Sequence, residues 1–207
     1  MRKFIGITCV LLGIMCILGA IGFLGYNSVE NIHAEEFAKD LLIDVQDIIN
    51  EPSKELPLHD DTLSISDNTE IISPEMATVN VDGYDCIGIL SIPVLDLELP
   101  VLADWSYSKL KKAPCHYYGS YYDKDFVIAA HNYRSHFGRL SELQTGDVII
   151  FTDVNKVEHF YEVVLLETLY MNATSEMITS GFDLSLYTCT LGGSSRVTVR
   201  CNSIVDD

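Results

Sequence analysis

The sequence predicts an all-β domain: a closed or nearly closed barrel of seven to eight strands with short helices, set behind an N-terminal transmembrane helix and stalk. Three observations carry this expectation. From Gly83 onward, short runs rich in Val, Ile, Leu and aromatic residues alternate with turn residues. From Phe4 to Val29 no residue is charged. Between the two lies a stretch with Pro52, Pro57, Pro74 and many Ser, Asp and Asn, without sustained periodicity.

The uncharged run is longer than the core of a cleaved signal peptide and long enough to cross a bilayer, which favours an uncleaved anchor. Arg2 and Lys3 precede it and are expected to stay cytoplasmic, and every Asp and Glu follows it. The expected organisation is a cytoplasmic N-terminus at 1–3, a membrane span at 4–26, a juxtamembrane helix at 27–50, an acidic linker at 51–82 and the barrel at 83–207. The juxtamembrane segment repeats Phe37, Leu41, Val45 and Ile48 at helical spacing, as either a stalk or a helix lying on the domain. Glu30 to Val81 holds 13 acidic and 2 basic residues.

Within the barrel region, Asp85–Ile92 and Leu97–Leu102 read as strands, the second interrupted by Pro100 at an edge or bulge. Ser106–Lys112 reads as a short helix and Phe126–His131 as a buried strand. Asp147–Thr152 and Val157–Tyr170 form one expected hairpin. Leu184–Thr190 and Ser195–Cys201 form another across Leu191-Gly192-Gly193-Ser194.

The chain has 207 residues and a formal net charge of −17. Such a polyanion lacks the clustered Lys and Arg that phosphate contacts require, so nucleic acid is not an expected partner. Of six cysteines, Cys9 and Cys16 fall in the span; Cys86, Cys115, Cys189 and Cys201 fall outside it. No C-x-x-C is present, which argues against a zinc ribbon or a redox pair. Buried free thiols are expected at Cys86, Cys115 and Cys201, with a Cys86–Cys115 or Cys115–Cys201 disulfide as the alternative.

A cysteine attacks a carbonyl only as the thiolate, and needs a base or cation nearby and a donor for the developing oxyanion. Cys189 ends a strand-like run, and Arg196 opens the next strand across the Gly192-Gly193 turn, so the two come close across a hairpin. Arg196 offers five donors in a rigid fork; the alternative is a surface ion pair. Arg200, four residues on, shares its face and competes with it. His131 ends the apolar run FVIAAH, as either a proton-transfer group or a hydrogen-bonded rim residue. His116, His136 and His159 compete for that role.

Together these segments resemble the sortase family. Ser185-Leu186-Tyr187-Thr188-Cys189 followed by Arg196 resembles the sortase signature Thr-Leu-x-Thr-Cys with an Arg on the next strand. The run VIAAHNYRSHFGRLSELQTGDVI resembles the block carrying the sortase histidine, which falls on His131. IGILSIPVLDLELPVLADWSYSKLKKAPCHYYGS resembles the opening strands of the sortase barrel. Ser185, Ala130 and Cys115 depart from the usual Thr, Gly and Gly, and the resemblance spans about residues 84–202.

It implies a cysteine transpeptidase with Cys189 as nucleophile, His131 as proton-transfer partner, Arg196 as electrostatic stabiliser and Thr188 as a substrate contact. It further implies cleavage of an LPxTG-like sorting motif of secreted proteins through a thioacyl intermediate, with transfer to an amine of cell-wall peptide or another protein. No cofactor or metal is expected. The implied location is the bacterial cell membrane, single-pass, with the catalytic domain extracytoplasmic. The alternatives are a cysteine endopeptidase with water as acceptor and a non-catalytic peptide-binding barrel. A second membrane segment, an aromatic lid motif and a long helical insertion between Tyr170 and Asp183 are not found, which leans the class toward a housekeeping or class D-like sortase.

Overall fold

A computed structural model describes residues 2–50 and 75–204. Most of the acidic linker expected at 51–82 lies outside the described residues. Its end forms a strand, β1 (Val79–Val81), too short to carry a period of its own.

Eight strands close a barrel. They are β2 (Tyr84–Ile92), β3 (Leu97–Leu102), β4 (Cys115–Tyr118), β5 (Phe126–Ala129), β6 (Val148–Asp153), β7 (Glu158–Tyr170), β8 (Leu184–Cys189) and β9 (Ser195–Ser203). The spatial order β2-β3-β4-β5-β8-β9-β7-β6 returns to β2 through a β2–β6 pairing. One edge of β2 is shared: Cys86 pairs with Val79 of β1, whereas Gly88 to Ser91 pair with Asp153 to Ile150 of β6. The expected strands are all present, although β5 ends at Ala129 rather than His131; among the eight, β4 is the one that the periodicity did not pick out. Pro100 sits on β3 where β4 pairs only at Leu102, so its missing N–H disrupts no ladder there.

β5 is buried throughout, as its uniform apolar run FVIA requires. The barrel is filled by side chains such as Leu90, Ile92, Val101, Phe126, Phe151 and Leu186. Phe126, Phe151 and Tyr121 form an aromatic knot, with centroids 5.2 to 5.8 Å apart. Buried Asp153 caps the β6–β7 turn by accepting the N–H groups of Asn155 and Val157 at 2.9 and 3.0 Å.

The N-terminal segment is one helix, α1 (Arg2–Asn50). Of the described helices it alone is long and apolar enough to cross a membrane, with a mean hydropathy of 1.7 and no burial across that window. Its second half lies on the barrel rather than standing free. Ala34, Ala38, Leu41, Val45 and Ile49 are buried, and Leu41, Val45 and Ile49 join Val81, Cys86, Leu102 and Cys115 in a second core outside the barrel. The expected stripe ended on Ile48, which faces solvent; the neighbouring Ile49 packs instead. Phe37 meets Tyr84 edge-on at 5.3 Å, and Lys112 lies 4.0 Å over the Phe37 ring.

Candidate active site

The β8–β9 hairpin pairs Cys189 with Arg196, Tyr187 with Thr198 and Ser185 with Arg200. Leu184, Leu186, Val199 and Cys201 fill the barrel. Alternation therefore puts Tyr187, Cys189, Arg196 and Arg200 on the outer face. Gly192 and Gly193 take the positive φ values, 93° and 75°, that close the turn, and Gly193 N–H donates to Thr190 O at 2.8 Å. Opposed residues of an antiparallel pair have Cβ atoms about 5 Å apart, so Cys189 and Arg196 are neighbours. Arg196 is tethered through Nη1 to the carbonyls of Gly193 (2.9 Å) and Ser195 (3.0 Å), which aims a partly exposed guanidinium.

β5 runs parallel to β8, with Phe126 opposite Leu184 and Ala129 opposite Tyr187, and Ala130 N–H donates to Tyr187 O at 3.2 Å. The register stops at Ala129: His131 lies two residues past the end of β5 and is not among the residues that line the groove holding Cys189. No hydrogen bond joins His131 to Cys189. His131 Nδ1 lies 3.1 Å from Asn132 Oδ1, and the ring stacks on Tyr133 at 4.2 Å and 6°. Burial holds its pKa below the ordinary imidazole value; the Asn132 hydrogen bond opposes this, Lys111 adds to the depression and Glu30 opposes it.

Cys189 and Arg196 line a groove of about 220 Å³ beside the barrel. Ala129 and Ala130 form its floor with Tyr187. Trp105, Tyr117, Tyr170 and Met177 supply apolar and aromatic walls, Met177 from the short helix α3 (Thr174–Ile178). A larger cavity, about 390 Å³, lies between α1 and the loop after His131 and contains neither Cys189 nor Arg196.

A family description, Sortase domain, matches residues 90–204. The chain belongs to the sortase family. No curated protein matches it. Among solved structures it resembles sortase A from Corynebacterium diphtheriae, with 22% identity and a TM-score of 0.54 over 60% of this chain and 63% of that one. It also resembles sortase C1 from Streptococcus suis, with 26% identity and a TM-score of 0.52 over 59% and 74%. A third likeness is to a Clostridium perfringens sortase D5 transpeptidase, with 19% identity and a TM-score of 0.60 over 82% and 99%.

Several sortase residues differ from their expected surroundings. Thr188, expected to contact substrate, points the other way. Its side chain shares the core side with Leu186, and its buried hydroxyl donates to Ala130 O at 2.9 Å. It ties β8 to the segment leading to His131. Arg200 is buried and fully engaged: it donates to Glu167 (2.8 Å), Ser185 Oγ (2.8 Å), Glu176 O (2.7 Å) and Met177 O (3.3 Å). It fastens α3, a groove wall, to the barrel.

The competing histidines are also occupied or sealed. Both His116 nitrogens face carbonyls, at 3.1 and 2.8 Å. His159 lies against Asp153, and His136 is fully buried. The cysteines are free among the described residues. Burial pushes the thiols of Cys86, Cys115 and Cys201 up to about 12, whereas Cys189 is partly exposed in the groove.

Proposed function

We propose that this sortase is a single-pass bacterial membrane enzyme whose outer domain cuts an LPxTG-like sorting motif of secreted proteins and transfers the acyl part to an amine of cell-wall peptide or another protein. The observation that carries the reading is the pairing of Cys189 with Arg196 at the end of the β8–β9 hairpin in an open groove, and His131 follows β5, the strand that neighbours β8. The Cys189 thiolate attacks the Thr carbonyl of the motif. Arg196 donates to the developing oxyanion, a role in which one good donor is worth several kcal/mol. The Thr–Gly bond breaks as imidazolium His131 gives its proton to the leaving glycine amine, and a thioester remains. The incoming amine attacks that thioester, loses a proton to His131 and releases the thiolate.

Burial lowers the pKa of His131 and so disfavours its imidazolium form. The apolar, aromatic walls suit the motif's Leu and Pro side chains. α1 holds the groove where exported, membrane-bound substrates emerge, which raises their effective concentration. The near-complete overlap with the sortase D5 chain favours a class D-like enzyme.

The test uses the full chain in detergent micelles, incubated with a motif peptide with and without an oligoglycine amine and followed by mass spectrometry. The expected results are an amine-adducted product, a trapped peptide thioester on Cys189, and loss of both in Cys189→Ala. Acid product alone at every amine concentration would assign an endopeptidase. Turnover retained by Cys189→Ala would remove the nucleophile.

A further inference from the structure

The loop that follows His131 rests on the membrane helix. Tyr133, whose ring covers His131 face to face, is itself buried, and its hydroxyl donates to Glu30 Oε2 of α1 at 3.3 Å. The other oxygen of Glu30 accepts from Lys111 Nζ, just past the short helix α2 (Tyr107–Leu110), at 3.1 Å, and from Tyr26 at 2.9 Å. The next residue of α1, Asn31, accepts the N–H of Arg134 at 3.0 Å and approaches the Ser135 hydroxyl at 3.5 Å. Two loop closures, Phe137 N–H to His131 O (3.2 Å) and Gly138 N–H to Tyr133 O (2.8 Å), knot the segment. Gly138 is required there, because a Cβ would lie 2.6 Å from Asn132 O and 2.7 Å from Tyr133 O. Glu30 stands four residues past the proposed span. A side chain at the membrane exit is therefore two contacts away from the imidazole.

We propose that Glu30 and Tyr133 are positioning residues: the juxtamembrane turn of α1 holds the Tyr133 ring, and through it sets the orientation of His131. This deepens the transpeptidase reading and rests on it for the kinetic arm alone. The stack leaves the ring one plane in which to turn. The Asn132 contact then selects the rotation about that plane and leaves Nε2 without a protein partner among the described residues. The charged and titratable groups that act on His131 are Glu30 on α1, Lys111 past α2, and Tyr133 and His136 on its own loop. Glu30 favours the imidazolium and Lys111 opposes it. The Glu30–Lys111 pair therefore balances the proton affinity, and detaching either group unbalances it. On this account the anchor is part of the active site as well as a tether.

The experiment uses the full chain in nanodiscs, with Glu30→Gln, Glu30→Ala, Tyr133→Phe and Tyr133→Leu. The first readout is the NMR titration of the His131 imidazole, which needs no turnover. Glu30→Gln and Glu30→Ala are expected to lower its midpoint. Tyr133→Leu is expected to displace its ring resonances by loss of the stacked aromatic, and Tyr133→Phe to retain them largely. The second readout is transfer kinetics. Tyr133→Leu is expected to lower kcat about 10- to 100-fold with KM within about twofold, as for a mis-set proton donor. The Tyr133→Phe/Glu30→Ala double variant is expected to be no worse than the worse single, since both remove one contact. Glu30→Asp should restore part of the loss. The proposal is overturned if the wild type transfers normally while Glu30→Ala and Tyr133→Leu keep its kcat and its His131 titration. If the wild type transfers nothing, the transpeptidase reading fails instead, and the titration alone decides the coupling.

Discussion

Acid should loosen this protein well above the pH at which its carboxylates titrate, and His136 is the reason. Its ring is fully buried, with both nitrogens lacking a hydrogen-bond partner. Burial pushes its pKa from 6.5 down to about 4; the backbone of Ala34 on α1 favours the charged form, but falls short of hydrogen-bond geometry and does not offset the burial. The unfolded chain takes up a proton below about 6.5, whereas the folded one refuses it until about 4. Stability is thus whole above 6.5, falls with pH through that window, and has lost the full contribution by about 4. At about 1.4 kcal/mol per pH unit the cost is about 2 kcal/mol by pH 5 and about 3 kcal/mol by pH 4. The depressed His131 acts in the same direction. For a chain of this size about 2 kcal/mol corresponds to roughly 4–8 °C in Tm. The assay is thermal unfolding of the full chain in detergent at pH 7.5 and pH 5. His136→Leu, which removes both unpaired nitrogens at similar volume, should keep or raise Tm at pH 7.5 and shrink the drop at pH 5. An unchanged acid slope in His136→Leu would refute the assignment.

Two further substitutions separate structure from chemistry. Arg200→Met strips Glu167, Ser185 and the carbonyls of Glu176 and Met177 of their shared donor and should cost about 3 kcal/mol in urea unfolding. Arg196→Ala, by contrast, should stay within about 0.5 kcal/mol of wild type while acylation falls at least about 100-fold. Gly88→Ala would put a Cβ 2.2 Å from Thr152 O at the β2–β6 seam, and should destabilise by about 3 kcal/mol or prevent barrel closure, read by circular dichroism.

Elements with strong local signals were legible in the sequence. The Gly192-Gly193 turn specified the β8–β9 hairpin, and the uniform apolar run specified β5. β1 was not, because three residues inside an acidic stretch carry no period. β4 was not, because the four residues Cys115 to Tyr118 between Pro114 and Gly119 are too few to show alternation, and its pairing with β3 is a single residue. The docked face of α1 was half visible. Leu41 and Val45 stood out, but Ala34 and Ala38, whose small side chains allow close approach, read as neutral filler. The contact between Glu30 and Tyr133 spans 103 residues and leaves no local trace.

Choosing among like residues was beyond the sequence for a physical reason. Arg196 and Arg200 share a strand face, and four cysteines lie beyond the span; spacing treats the members of each set alike. The fold distinguishes them by what surrounds each one. Arg200 is sealed under α3 with its donors spent on an acid, a hydroxyl and two carbonyls, so it has little left to offer a ligand. Arg196, held through one nitrogen only, keeps the rest of its fork toward the groove. Three thiols are driven up to about 12 by apolar surroundings and stay protonated at any physiological pH, while Cys189 meets solvent at the open end of β8. On the proposed reading the reacting pair is what remains when the enclosed groups are removed: Arg200, Cys86, Cys115 and Cys201 are buried, and Cys189 and Arg196 stay at the end of the hairpin, where the strands run out of barrel to cover them.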